Sequence, residues 1–449
     1  MVVVGGGVAG IAAALRGIDA GCAVTLVEAR SRLGGAAGSF RRGDLTVDTG
    51  QHVILRCYST YRRLLARLGV ADAVPVQERL GFPVLHPARR PVWLRRSSVP
   101  WLPAPAHLLP VVLGHRLLAP AARLRVLGTA LALRALDPED PRLDGCSFGA
   151  WLRHRGESDR SIEALWGLLT LAALNAQVDD ASLALAVRVF RTGLLDGVDG
   201  GDIGVPTRPL GQLHHDAAHR ALRRGGANVR LRAKVSGLHR VGDRWRVETP
   251  DEVVDADGVV VAVPHAQAAR LLHDLPVPAC AQWARLGSSP IVNVHVVYDR
   301  PVTELPFAAV VGSPVQWVFD RTAVAGARAG RQYLAVSLSA ADRYLQARTG
   351  ELRHVFLPAL AALFPRAAGA RVEDFFVTRE PCATFRQAPG TRRLRPPPAT
   401  GLPGLALAGA WAGTGWPDTL EGAARSGEAA ADHLIQHTLH RSSNPVEAT

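Results

Sequence analysis

The stretch VVVGGGVAGIAAALRGIDAGCAVTLVEAR, residues 2–30, decides the fold. Three valines run into Gly5, Gly7 and Gly10, a helical stretch with Ala14 follows, and a second strand, AVTLVE, ends at Glu28. Strand, helix and strand make a βαβ unit. Gly5 permits the tight turn, Gly7 lets a pyrophosphate approach the backbone, and Gly10 lets helix and strand pack closely. The helix start adds free N–H groups and the positive end of its dipole. Glu28 is placed to accept hydrogen bonds from an adenosine ribose. The spacing points to a dinucleotide site. Gly17, inside the helix, breaks a local rule at a cost of about 1 kcal/mol relative to alanine.

The rest of the chain can bury a large core. Its 449 residues are 48% hydrophobic, a length that suits two domains or one elaborate one. Met1 is followed at once by apolar residues and glycines, with no charged leader, and the five cysteines lack a C-x-x-C spacing. The expected compartment is the cytoplasm, with free thiols. The formal net charge of +13 comes almost wholly from arginine, with Lys234 the single lysine. Without a basic tail or aromatic-rich basic strands, this charge does not point to nucleic acid. It suits either an anionic membrane surface or a codon-biased basic exterior.

Downstream of Glu28, EARSRLGGAAGSF carries Arg30 and the doublet Gly34-Gly35. It resembles the E-A-R-x-x-x-G-G stretch of FAD-containing amine oxidases and carotenoid desaturases, and this resemblance implies FAD as the cofactor. Ala36 stands where those families usually have an arginine, which leaves Arg30 as the charge beside the pyrophosphate. Residues 229–235, VRLRAKV, alternate like a strand, and GDRWRVETPDEVVDADGVVVAVP reads as a meander leading to a buried run at 258–263. The backbone of Val235 is the expected adenine contact by analogy with related flavoproteins. The closing segment, GLALAGAWAGTGWPDTLEGAARSGEAAADHL, reads as strand, glycine-rich turn and helix, aiming a second helix N-terminus at the flavin. Gly409, Thr419 and Leu420 are its expected contacts. Ala410 replaces the acid that in many relatives holds the ribityl chain.

The segments VDTGQHVILRCY, NAQVDDASLALAVRVFRTGLL and AGTGWPDTLEGAARSG together resemble the bacterial hydroxysqualene dehydroxylases, also called squalene-associated FAD-dependent desaturases. These lie within the amine oxidase and carotenoid desaturase superfamily, and the resemblance spans nearly the whole chain. Thr49 stands where that family more often has asparagine. The resemblance implies an α/β fold, a Rossmann-like FAD-binding domain of the GR2/amine oxidase type interleaved with an α+β substrate domain. The FAD domain is expected at 1–55, 201–285 and 386–440 with a C-terminal helix. The substrate domain is expected at 56–200 (helical, as in STYRRLLARLGV and SDRSIEALWGLLTLAAL) and 286–385 (sheet, as in PIVNVHVVYD and RQYLAVSLSA), and 441–449 is expected to be a flexible tail.

The implied reaction is reductive removal of an allylic hydroxyl from a long-chain C30 isoprenoid, in squalene and hopanoid biosynthesis. An electron donor must reduce the FAD, and no motif identifies it. The loop carrying Gly50, Gln51 and His52 is expected in front of the flavin ring. His52 is the first candidate for the proton donor, Glu421 the second, and Gln51 an orienting amide. A structural histidine pinning a loop is the competing reading of His52. Trp411 and Trp416 either stabilise cationic character through their faces or wedge helix against sheet. Three other functions stay open: a carotenoid desaturase, a flavin amine oxidase, and a non-enzymatic prenyl-binding regulator of the same fold.

Residues 97–115 are uncharged but contain Pro100, Pro103, Pro105 and Pro110, so a spanning helix is not expected. With RLLAPAARLRVLGTALALRAL they read either as an interfacial hairpin, peripheral on the inner face of the cell membrane, or as a linker with a core helix. His214, His215 and His219 lack further ligands and read as surface histidines, so no metal is expected. RRLRPPP at 392–398 reads as a solvated proline turn.

Overall fold

In the computed structural model, which describes residues 1–442, the valine run Val2–Val4 is the central strand of a five-stranded parallel sheet. The order is Leu405–Leu407, Val259–Val261, Val2–Val4, Thr25–Glu28 and Asn228–Leu231. Val2 lies opposite Val259 on one side and Thr25 on the other. Three of these strands are buried along their whole length, as short apolar runs covered on both faces should be. Helix Val8–Asp19 covers one face and packs along the closing helix Leu420–Ser442. That contact is close enough that a Cβ on Gly427 would strike the Ala9 carbonyl. Gly17 has a similar reason, because a Cβ there would collide with Met1 and press on Val24.

The strand expected over 229–235 is shorter. It ends at Leu231, and Arg232 turns away with φ +59°. The following residues stay tied to the second strand through Arg232 N–H to the Arg30 carbonyl and Ala233 N–H to the Glu28 carbonyl, both 2.9 Å. The antiparallel meander Gly237–Val241, Arg244–Glu248 and Val253–Ala256 follows.

A seven-stranded sheet forms the other half of the molecule. Its core pairs Ser289–Tyr298 with Val372–Thr384 on one side and Gln332–Leu338 on the other. Two of its strands, Gly81–His86 and Arg89–Arg95, come from the region expected to be helical. The second alternates strictly between exposed and buried from Pro91 onward, but that proline, like Pro83 in the first, argues against a strand in the sequence. The helices Ser59–Leu68, Pro120–Arg134, Phe148–His154, Leu168–Leu174 and Leu183–Phe190 supply the helical part. Residues 97–115 form loops, a short turn at Ala106–Leu108 and helix Leu109–Leu113. Among the described residues no helix is long and apolar enough to cross a membrane. The closing helix runs to Ser442, so of the tail expected at 441–449 residues 443–449 lie outside the described residues.

Candidate active site

The cradle is built from glycines with three different jobs. Gly5 has φ +105°, and a Cβ there would collide with the Ala262 carbonyl of the neighbouring strand connection. A Cβ on Gly10 would collide with the Gly5 carbonyl, so helix and turn can be this close only without side chains. Gly7 differs, since a Cβ there meets nothing within 4 Å. It caps helix Val8–Asp19 without a side-chain hydrogen bond, so the open space lies at the positive end of that helix. Gly34 N–H donates to the Gly6 carbonyl at 2.8 Å, and a Cβ on Gly35 would sit 3.2 Å from the Gly7 Cα. The doublet therefore closes over the same turn. Arg30 reaches the Gly35 carbonyl with Nη1 at 3.4 Å, beside the cradle.

Glu28 has partners of its own. Oε2 accepts from Gly6 N–H at 2.6 Å and Oε1 from Arg30 N–H at 2.7 Å. Each oxygen retains acceptor capacity, so the side chain locks the turn and still suits a ribose hydroxyl. Val235 lies partly buried against the core beneath this sheet.

The loop after the hairpin of Ser39–Arg42 and Leu45–Asp48 is strapped to the doublet loop by Thr49. Its N–H donates to the Gly38 carbonyl at 2.9 Å, its Oγ1 accepts from Gly38 N–H at 3.1 Å, and Oγ1 reaches the Ala36 carbonyl at 2.6 Å. Gln51 and His52 follow directly. Gln51 Nε2 is a buried donor without a partner among the described residues. Asn293, fully buried in strand Ser289–Tyr298, directs Nδ2 to the Thr49 carbonyl at 3.4 Å, while its Oδ1 is a buried acceptor without a partner. One unsatisfied donor and one unsatisfied acceptor beside the same loop fit a polar, flat group that takes and gives hydrogen bonds. With the Gly7 opening they fit FAD. Asn293 was missed in the sequence reading. A polar residue, with His295 two positions on, in the middle of an apolar strand was the available signal.

His52 is part-buried, with Nδ1 3.3 Å from the Gly50 carbonyl. Burial holds its imidazole below the ordinary value, opposed by the Gly50 carbonyl and the Asp48 charge, with Arg321 adding to the lowering. A neutral ring with its proton on Nδ1, facing the Gly50 carbonyl, presents Nε2 as a lone pair. It donates from Nε2 only once protonated.

Glu421 has a different role from the one expected. Its carboxylate is fully buried, accepts Thr60 N–H at 3.1 Å and Tyr61 N–H at 2.8 Å, and meets Arg425 Nε at 2.6 Å. It caps helix Ser59–Leu68 from another element, with two bonds on Oε1, one of them from a guanidinium, and one on Oε2, so its geometry is that of a structural cap. Thr419 and Leu420 do stand at the start of the closing helix, where Thr419 Oγ1 accepts Gly422 N–H at 3.1 Å. Gly409 N–H is taken by Ser426 Oγ at 2.9 Å, and its φ of +139° brings it so close to the Trp411 indole that no side chain fits.

Of the two tryptophans, Trp411 is a wedge. It is buried against Trp283 at 5.2 Å and donates to the Val263 carbonyl at 2.9 Å. Trp416 instead lines a small, mainly apolar cavity with Leu55, Tyr58, Val189 and Pro417, edge-on to Tyr58 at 6.1 Å. The turn expected to be solvated at 392–398 hides Arg395, whose guanidinium is buried and donates to the carbonyls of Ala410, Ala412 and Trp416. Burial brings it down to about 10. Nearby, burial pushes Asp418 up to about 6, against the pull of the Phe385 N–H bond and of Arg395.

The histidine cluster is also corrected. His214 is fully buried, with Nδ1 2.8 Å from the Ala37 carbonyl and Nε2 2.7 Å from Tyr61 Oη, and burial brings it down to about 4. His215 Nδ1 accepts from Leu33 N–H at 3.1 Å. Both brace the doublet loop. Among the described residues no group of side chains could hold a metal ion.

Known proteins resemble this chain from end to end. The hydroxysqualene dehydroxylase of Sinorhizobium fredii is 29% identical, over 97% of this chain and 98% of the relative. The 15-cis-phytoene desaturase of Solanum lycopersicum is 22% identical, over 97% of this chain and 77% of the relative. The solved structure of cyclohexylamine oxidase from Brevibacterium oxydans IH-35A superposes with a TM-score of 0.72 at 18% identity, covering 98% and 99% of the two chains, a likeness of fold alone. The family model for flavin containing amine oxidoreductase matches residues 8–435, taking in Gly10, the Gly34-Gly35 doublet, the Gln51-His52 loop and most of the closing helix. With a cradle that fits FAD and a match of this extent, the chain belongs to the flavin-containing amine oxidoreductase family and is an FAD-dependent oxidoreductase.

Proposed function

We propose that this enzyme is a hydroxysqualene dehydroxylase, reducing an allylic C30 alcohol to squalene. The end-to-end similarity to a curated hydroxysqualene dehydroxylase carries the reading. Leu55, three residues past His52, lines the small apolar cavity with Tyr58 and Trp416, and this supports the reading.

Gly5, Gly7, Gly10, Glu28, Arg30, Gly34 and Gly35 would hold the nucleotide, and Gly50, Asn293, Gly409, Thr419 and Leu420 the flavin end. Bound FAD, in its reduced form, supplies the hydride that replaces the hydroxyl. The chain's residues handle the departing oxygen. The C–O bond breaks with its electron pair on oxygen, and one proton carries that oxygen away as water. His52, when protonated, delivers this proton from Nε2, and Gln51 Nε2 orients the hydroxyl by donating to it. The rings of Tyr58 and Trp416 offer π-faces to the allylic positive charge, and the apolar wall keeps bulk water from capturing it.

Anaerobic incubation of flavin-reduced enzyme with hydroxysqualene, and of flavin-oxidised enzyme with phytoene and simple amines, each followed by product analysis, tests the reading. Squalene from hydroxysqualene is expected. Desaturated phytoene or an oxidised amine formed by the oxidised enzyme, with no squalene, would replace it by one of the alternatives.

A further inference from the structure

From Arg79 to Leu136 the chain holds nine arginines and no aspartate or glutamate, so this one region supplies nine of the +13 net charges. The same region holds most of the exposed apolar surface. Among the described residues, seven of the ten large apolar side chains that stand clear of the protein lie between Trp93 and Leu131, with Trp101 80%, Leu124 68% and Leu131 57% exposed.

Helix Pro120–Arg134 shows how unusual this face is. Val126, Thr129 and Leu133 point into the core. The opposite stripe, Ala121, Leu124, Gly128 and Leu131, is exposed and entirely apolar, and a Cβ on Gly128 would meet nothing within 4 Å. A surface helix should carry polar residues there. Helix Leu109–Leu113, with Leu109 and Leu113 exposed, packs on both this helix and the edge strand Arg89–Arg95, so the three elements form one continuous face. Arginines frame it. Arg79, Arg89, Arg90 and Arg116 are exposed and have no acidic partner among the described residues, and Arg95 lies over the Trp93 ring at 4.2 Å.

Apolar side chains framed by guanidinium groups, with tryptophans among them and no carboxylate in the sequence from Arg79 to Leu136, match acyl chains beneath phosphate headgroups. We propose that this face docks on an anionic lipid bilayer, with Trp101, Leu113, Leu124 and Leu131 at the acyl boundary and Arg89, Arg90 and Arg116 at the headgroups. The docked elements belong to the core that also packs Val53 and Leu55, the residues just beyond His52. The inference goes beyond the proposed reaction, and binding is read without turnover.

The FAD-loaded full chain is sedimented with vesicles of phosphatidylglycerol and phosphatidylcholine, and with vesicles of phosphatidylcholine alone. Binding to the anionic vesicles is expected, weakened by salt and about fivefold lower for each framing arginine removed. The triple variant Trp101→Ser, Leu124→Ser, Leu131→Ser should stay in the supernatant with unchanged flavin content and circular dichroism. If that variant misfolds, Arg89→Glu with Arg90→Glu, on an exposed edge, gives the second reading and should lose more than about tenfold. Wild-type protein left in the supernatant, variants that bind like wild type, or equal binding to neutral vesicles would each overturn the proposal. A dimer that the triple variant dissolves, without vesicle binding, would assign the face to a second copy of the chain.

Discussion

Asp48 and Arg321 form a buried ion pair, Oδ2 to Nη2 at 2.7 Å, four residues before the proposed catalytic histidine. Asp48 also accepts from Ser39 Oγ at 2.6 Å and Leu210 N–H at 2.9 Å, and Arg321 donates to the Pro206 carbonyl at 3.2 Å. Four segments of chain are thus tied at the base of the Gln51-His52 loop. Because the carboxylate is neutralised by its own arginine, it lifts the His52 imidazole less than an unpaired charge would.

Breaking this pair should be expensive. Arg321→Met leaves a buried carboxylate without its cation and should cost about 3–5 kcal/mol. Thermal unfolding of the FAD-loaded protein measures it. A change of less than about 1 kcal/mol would mean that Ser39 and Leu210 suffice to hold Asp48.

The glycines of the cradle should separate cleanly. Gly7→Val puts its side chain into open space, so the protein should fold and lose its flavin. Gly10→Val drives a side chain into the Gly5 carbonyl and should prevent folding. Flavin absorbance and circular dichroism distinguish the two, and a yellow, folded Gly7→Val protein would refute the cradle.

His52→Ala should retain FAD and bind a squalene-like ligand while turnover falls by on the order of 10²-fold or more. Gln51→Ala should lose less, since an amide orients but does not protonate. An acid must be protonated to act, and burial lowers His52, so the rate should fall as pH rises through a value below 6.5. That limb should vanish in His52→Ala. Loss of FAD instead would make the histidine a structural pin.

Asp418 should give a second pH dependence, shifted in the opposite direction by the same cause, burial. Its carboxyl is raised to about 6 by burial, so the folded protein holds this proton more tightly than the unfolded chain does. The associated stability is present below about pH 4 and is lost as pH rises through about 6. Asp418→Asn keeps an acceptor for Phe385 N–H and should be the more stable of the two proteins at pH 8, by on the order of 1–3 kcal/mol. If its pH–rate profile also loses the limb near 6 while that of His52→Ala does not, Asp418 is the proton source.

The acid side of the stability curve should be set by buried imidazoles. His214 is brought down to about 4 and His295 to about 3, both by burial. Unfolded histidines take up protons below about 6.5, so stability should fall as pH drops from there toward 4. Melting temperatures from pH 7 to 4 measure the slope, and His295→Gln should flatten it.

The sequence by itself determined the nucleotide-binding fold, because that information is local. The glycine spacing, the valine strand and the acid at residue 28 lie within one stretch whose turn, helix start and strand pairing depend on near neighbours. The long apolar strands and the proline-broken run were legible for the same reason. What only the tertiary structure decided are the partners of the polar groups. Glu421 resembles a free acid until it is seen capping a helix some 360 residues away in sequence, and Arg395 resembles a solvated residue until the 410–416 turn closes over it. His214 turns inward to a carbonyl at Ala37, while Leu124 and Leu131 face outward from a helix whose composition suggests a core. Burial and charge pairing arise between segments with no fixed spacing along the chain, and they decide which acid holds a proton and which apolar residue meets solvent.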